Sequence, residues 1–241
     1  MPGRGTLVVV FARAPRPGRA KTRLAPLLGR EGAASLAGQL LDRALRTARA
    51  ARVGEVELRC APDTGHAFFA AMRERHRVRL VGQGRGGLGA RMHRAFRSAL
   101  RAHARAILVG SDCPAMRPSD LRAAARALER GADAVLSPAE DGGYPLIGLR
   151  RAARAVFEGV DWGTGRVLAQ TRRKLRALGW RTVLLRTLWD VDRPEDVERL
   201  RRSGLLRRGA RFRARRKRAA GRARARPSTG SPARSGGPGR T

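Results

Sequence analysis

Aromatic residues are scarce in this sequence: six Phe, three Trp and one Tyr, 4% of 241 residues. A core must then be built from Leu, Val, Ile and Ala, and stacking of nucleic-acid bases on aromatics set among basic runs has little support. Cysteine is scarcer still. Cys60 and Cys113 form no CxxC pair, and with His66, His76, His93 and His103 they offer no zinc-ligand spacing, which fits a reducing cytosol. Long apolar runs are missing. The run at residues 7–12 is too short for a signal-peptide core or a membrane span, and no later run is longer without a charge. The expectation is a soluble, cytoplasmic protein with no membrane span and no internal repeat.

Acidic residues number 19 against 53 basic ones, a formal charge of +34 that points at first to nucleic acid. Two features discount that. Lys21, Lys174 and Lys217 stand against 50 Arg, and Ala and Gly abound, the bias of a GC-rich genome more than of a binding surface. Residues 207–241 also hold thirteen of the basic residues and no acid; without them the balance is still about +21. This segment passes from Arg/Ala-rich to Pro/Gly/Ser-rich composition and is expected to be a disordered tail, with residues 1–206 as the folded domain. Nucleic acid enters as a partner only through that tail.

Short apolar runs alternate with Ala/Arg/Leu-rich stretches of helical period. Strands are expected at residues 6–12, 55–60, 78–81, 106–110, 132–137 and 182–186, and helices at 31–51, 65–75, 88–103, 118–130, 165–178 and 194–202. That alternation predicts an α/β protein with a mainly parallel central sheet and helices on both faces. In such sheets ligands bind beyond the carboxyl ends of the strands, which selects residues 13–23, 82–89, 110–114, 138–144 and 187–192.

The first of these loops, within FARAPRPGRAKTRLAP, carries Arg13, Arg16, Arg19, Lys21 and Arg23 with no acid. Pro15, Pro17 and Gly18 force a turn, and such cations can neutralise a di- or triphosphate. Arg16 and Arg19 fit a solvated turn in an Arg-rich chain. Composition does not explain Lys21, because this chain hardly uses Lys. GRGGLG, residues 84–89, fits a dinucleotide fingerprint, with Asp112 about twenty residues on. It follows the third strand rather than the first, in a chain with 29 Gly, so a loop for close backbone approach is the better reading. In ILVGSDCPAM, Asp112 at the mouth of an apolar strand is well placed for a hard divalent cation, while Ser119 can cap the next helix. Cys113 reads as a small buried residue rather than a nucleophile. In SPAEDGGYPLIGL, Glu140, Asp141, Gly142, Gly143 and Tyr144 follow another strand. Asp190 and Asp192 precede a Pro-initiated helix, and Asp192 can either cap that helix or join Asp112 on a metal. In DWGTGRVL, Trp162 can cover a ligand or staple a helix start.

Taken in order, FARAPRPGRAKTRLAPLLG, QGRGGLGARM, GSDCPAM, SPAEDGGYPLIGL, WGTGRVL and DVDRPEDVERL resemble the glycosyltransferase-A-like transferases once labelled a domain of unknown function. These are also called selenodomain-associated or arsenosugar-biosynthesis glycosyltransferases. Molybdenum-cofactor and 2-phospholactate guanylyltransferases are more distant relatives. The resemblance runs from about residue 7 to 200 and implies a nucleotide-diphospho-sugar transferase fold with a Rossmann-like nucleotide half. It implies Mg or Mn on Asp112, with Asp192 as a second contact. It implies a nucleotide or nucleotide-sugar donor held by Arg13, Gly18, Lys21, Arg23, Gln83, Gly84, Gly86 and Ser111. The acceptor side is then Gly142, Gly143, Tyr144, Trp162 and Thr164. The chain departs from the family block Gln-Gly-x-Gly-Asp-Leu-Gly-Glu-Arg-Met at Gly87 and Ala90, from a common aromatic at Pro145 and from a common Lys at Arg13.

The expected chemistry is metal-assisted transfer to a small-molecule acceptor, with Lys21 and Arg23 stabilising the leaving phosphate and Asp141 as base. Glycosyl transfer is the first reading and nucleotidyl transfer from a nucleoside triphosphate to a phosphorylated or acidic acceptor is the alternative. A basic nucleic-acid-binding protein and a nicotinamide-dependent oxidoreductase are further alternatives. A chain ending at Gly204 is expected to keep all nucleotide-sugar binding in a thermal-shift assay. Loss of that binding on truncation would make the basic tail part of the donor site.

Overall fold

Among the described residues, nearly every apolar run becomes a strand of one sheet, and the Arg/Ala/Leu-rich stretches become helices, most of them packed on it. The computed structural model describes residues 3–205; the basic tail expected at 207–241 lies outside the described residues. The elements are β1 (Gly3–Arg13), α1 (Ala25–Ala51), β2 (Glu55–Ala61), α2 (Ala67–His76), β3 (Arg79–Gly82), α3 (Leu88–Ala102) and β4 (His103–Gly110). They continue with α4 (Pro118–Glu129), β5 (Ala134–Ser137), β6 (Leu146–Leu149), α5 (Val167–Ala177), β7 (Thr182–Leu184) and α6 (Pro194–Ser203). Gly29, at φ 75° and ψ 168°, breaks the start of α1, so its regular part begins where the periodicity places it.

The sheet order is β3-β2-β1-β4-β6-β5-β7. All neighbours are parallel except β6, which runs antiparallel between β4 and β5. The sequence pattern does not reveal β6. Its four residues are all buried, so they show no alternation, and they follow a Gly-rich turn.

Alternation along β1 sorts the two cores. Val8 and Val10 pack with Leu41, Leu45, Met72 and Leu128 of α1, α2 and α4. Leu7, Val9 and Phe11 pack with Met92, Phe96 and Leu175 of α3 and α5 on the other face. A third cluster joins Leu24, Leu36 and Leu40 to Val191, Val197 and Leu200, and so clamps the loop after β1 against the segment before α6.

Two capping assignments change. The N–H of Arg117 donates to Asp120, so Asp120 rather than Ser119 caps α4. The N–H groups of Asp192 and Arg193 both donate to Asp196, which caps α6 and leaves the Asp192 carboxylate free. Among the described residues, no helix is long and apolar enough to cross a membrane.

Candidate active site

The chain runs from β1 outward to β2 and β3, then returns to place β4 on the opposite side of β1. Such a reversal opens a crevice at the carboxyl ends of the two central strands. A cleft of about 650 Å³ lies there. Arg13, Arg19, Lys21, Arg23 and Arg91 line it, facing Asp112 and Asp192, with Ala61 and Leu88 as apolar patches.

Lys21 sits at φ 48° and ψ 45°, left-handed backbone that a residue with a side chain adopts at a cost of about 1–3 kcal/mol. Burial of Leu24 and Val191, each worth about 1.5–3 kcal/mol, holds it there. The conformation aims the ammonium into a cage. Lys21 Nζ donates to Val191 O at 2.6 Å and to Asp192 Oδ1 at 2.8 Å, and meets Asp112 Oδ2 at 3.0 Å. Its side chain is 6% exposed, whereas both carboxylates are 47% exposed. Burial works to lower the Lys21 pKa, yet Asp112 and Asp192 outweigh it and hold the ammonium above its usual value. The N–H of Val191 donates back to Asp112 O at 3.0 Å. Asp112 is placed by its own loop, where Arg186 forks onto Asp120 at 2.7 Å and reaches Ala115 O at 2.9 Å.

A second chamber of about 570 Å³ adjoins the cleft and shares Arg23 and Asp192 with it. Its walls carry Asp141, Asp190, Glu195, Asp196, Thr164 and Trp189. Glu140, also on the wall, is forked by Arg199, whose guanidinium lies 4.4 Å from the Trp189 ring centre. Asp190 is largely buried and its Oδ1 has no hydrogen-bond partner. Burial, then the charges of Asp112, Asp141 and Asp192, push its pKa up to about 7, with Lys21 working the other way. Burial also raises the Cys113 thiol, and pushes Cys60 up to about 12, so neither is a nucleophile near neutrality.

The expected site residues divide. Arg13, Lys21, Arg23, Ser111, Asp112 and Asp192 meet at the cleft, and Asp141 and Thr164 at the chamber. Arg19, read as solvated, also lines the cleft. Gln83 borders it, but its amide is spent inside: it donates to Ala12 O and Arg59 O and accepts from Arg91. Gln83 therefore positions Arg91. Gly18, Gly84 and Gly86 have positive φ and shape their turns without lining the cleft. A Cβ on Gly84 would lie 2.6 Å from Arg94, whose guanidinium fills that loop by donating to Gln83 O and Arg85 O. Arg94 thus occupies the place that the dinucleotide-fingerprint alternative gives to a cofactor pyrophosphate. Tyr144 and Trp162 are partly buried and pack against the core. Their rings meet edge to face at 6.3 Å, and the Tyr144 hydroxyl accepts from Thr171. Gly142 and Gly143 lie behind the chamber wall; Gly143 N–H donates to Asp141 Oδ1 and so orients that carboxylate.

Asp190 and Arg91 are the additions. In an extended Asp-Val-Asp the two acids share the side opposite Val191, with Asp192 half exposed and Asp190 largely buried. Arg91 sits one helical turn after Leu88 on the same face. A hard cation needs oxygen ligands; Mg commonly takes one or two carboxylates and completes its shell with water and substrate phosphates. Asp112, Asp192, the Val191 carbonyl and the unpartnered Asp190 Oδ1 are of that kind. Among the described residues, no group of three or more His, Cys, Asp or Glu forms a ready-made metal site.

A family model described as "Uncharacterized protein conserved in bacteria (DUF2064)" matches residues 44–164, half of the chain. The chain belongs to DUF2064. The matched part of this DUF2064 chain contains Asp112 and Asp141 and stops short of Lys21, Asp190 and Asp192. No curated protein matches the chain significantly. Among solved structures, it is similar to a Desulfovibrio desulfuricans G20 protein assigned to the nucleotide-diphospho-sugar transferases. They share 27% identity at a TM-score of 0.76, over 88% of this chain and 92% of that one. CMP:2-keto-3-deoxy-manno-octonic acid synthetase, solved with CTP, is 13% identical at a TM-score of 0.53, over 83% and 98% of the two chains. Rv0371c of Mycobacterium tuberculosis H37Rv, solved with manganese, is 20% identical at 0.53, over 83% and 100%. The fold is that of the nucleotide-diphospho-sugar transferases, and the 27%-identical Desulfovibrio protein supports a transferase that uses a nucleotide.

Gly142 is where the chamber depends on backbone alone. It has φ 85°, and a Cβ there would lie 2.1 Å from Gly165 O. Gly142→Ala is expected to part the two loops and destabilise the protein by about 2 kcal/mol or more in chemical denaturation. A change below about 0.5 kcal/mol would mean that the loops are not held in this close approach.

Proposed function

We propose that this chain transfers a glycosyl group from a nucleotide-diphosphate sugar to a small polyhydroxylated acceptor that carries no phosphate or carboxylate, with a divalent cation as cofactor. The observation that carries this reading is the opposite charge of two adjoining chambers. The cleft is walled by five cations and suits a diphosphate. The neighbouring chamber is walled by six carboxylates against two cations, Arg23 and Arg193; carboxylates accept hydrogen bonds from hydroxyls and repel anions.

In this reading the donor diphosphate lies along the cleft, where Lys21, Arg23 and Arg91 offset its charge. A divalent cation on Asp112 and Asp192 supplies further charge stabilisation to the departing diphosphate. The acceptor occupies the chamber. Its hydroxyl oxygen bonds to the anomeric carbon, its proton passes to Asp141, and the bond from that carbon to the phosphate oxygen breaks. The nucleoside diphosphate leaves with the bonding pair. Arg23 and Asp192, common to both chambers, stand where the transferred group crosses.

Nucleotidyl transfer is the second reading, favoured by the similarity in fold to a synthetase solved with CTP. Pyrophosphate would then leave from a nucleoside triphosphate. A phosphorylated acceptor suits the acidic chamber poorly, which ranks this reading second. A thermal-shift panel of nucleoside triphosphates and nucleotide-diphosphate sugars, each with and without Mn, separates the two. Sugar nucleotides with Mn are expected to stabilise most. Asp112→Ala is expected to abolish the Mn-dependent nucleotide shift while the melting temperature of the free protein moves by no more than about 4 °C. Unchanged calorimetric affinity of that variant for the best nucleotide with Mn would refute the cation assignment. Faster turnover of phosphorylated than of neutral acceptors would refute the acceptor class.

A further inference from the structure

We infer that Lys21 is a built-in placeholder for the divalent cation: its ammonium holds Asp112 and Asp192 together in the free protein and must leave them when the cation arrives. This rests on the reading of those two carboxylates as cation ligands. The ligand set of the ammonium is what a small hard cation would take, two carboxylate oxygens and a main-chain carbonyl. All three N–H bonds of the ammonium are used, at 2.6, 2.8 and 3.0 Å. A divalent cation on those same oxygens would lie at contact distance from the ammonium, where repulsion between the two positive centres favours exchange over addition.

The exchange has a route. The ammonium is enclosed, but both carboxylates open onto the cleft, so a cation can approach from the side away from the lysine stem. The displaced ammonium has a destination as well. Lys21 lines the same cleft, and a diphosphate lying there offers its oxygens within reach of the same side chain. Cation and diphosphate therefore help each other. The cation frees Lys21 for the phosphates, and the phosphates compensate the ammonium for the carboxylates it gives up. Coupling of this kind is reciprocal, and typically amounts to about 5- to 150-fold in affinity. A purely structural lysine would keep its three partners in every state.

The test is Mn binding by isothermal titration calorimetry to the full chain and to Lys21→Met, alone and with UDP or GDP, corrected for Mn–nucleotide complexes in solution. Without nucleotide, Lys21→Met is expected to bind Mn about tenfold more tightly than the parent chain. Nucleotide should tighten Mn binding to the parent by about tenfold or more, and to the variant by several-fold less. Equal or weaker Mn binding by the variant overturns the inference.

A second measurement uses the unaltered protein. Its three lysines can be acetylated with an amine-reactive ester and read by mass spectrometry, with Lys174 as internal reference. Mn alone should raise labelling of Lys21 relative to Lys174 by about fivefold or more, and added nucleotide should reverse the rise. Flat Lys21 labelling in a protein that does bind Mn with nucleotide overturns the placeholder role alone. Failure of Mn to bind under any of these conditions overturns both the role and the cation reading beneath it.

Discussion

A lysine ammonium buried between Asp112 and Asp192 ties three distant parts of the chain to one point: the loop after β1, the loop after β4 and the segment before α6. The first two follow the paired strands β1 and β4; the third lies far along the chain. Each is placed by packing of its own. Leu24 and Val191 share a core cluster, Asp120 is fixed by Arg186, and Asp196 takes over the capping of α6. With those tasks assigned elsewhere, the carboxylates of Asp112 and Asp192 are left to the cleft. Leaving one charge of such a cluster unpaired commonly costs about 3–5 kcal/mol when fully buried, and less where the acids are half open, as here.

The same point divides the site electrically. On one side the surface follows the basic composition of the chain, and on the other it reverses. A chain with 53 basic and 19 acidic residues gathers six of its carboxylates around one chamber. The charge of a site, not of the whole chain, decides what enters it.

Much of this was legible from residues. The strand and helix pattern followed from alternation and from Ala/Leu periodicity. Lys21 stood out because lysine is almost unused elsewhere, and Asp112 because it ends a strand with no structural task. What stayed hidden has physical causes. The fully buried β6 carries no alternation. Glu57 and Arg59 look like the solvent face of β2, yet they are 1% and 2% exposed and pair with each other at 2.5 Å inside the α3 side of the sheet. The resemblance sets Tyr144 on the acceptor side, and Trp162 reads as a ligand cover or a helix staple; in the fold both are partly buried against the core between the sheet, α3 and α5. From sequence, Asp190 has no role beside Asp192; only its burial beside three other carboxylates sets it apart.

The most direct measurement is an anomalous difference map from a crystal of this chain grown with Mn and a nucleotide diphosphate. The account predicts one Mn peak between Asp112 and Asp192, with Lys21 moved onto the phosphates and the nucleotide lying along the β1–β4 cleft. A bound nucleotide elsewhere, or one in the cleft with no Mn peak and Lys21 still on both carboxylates, would contradict it.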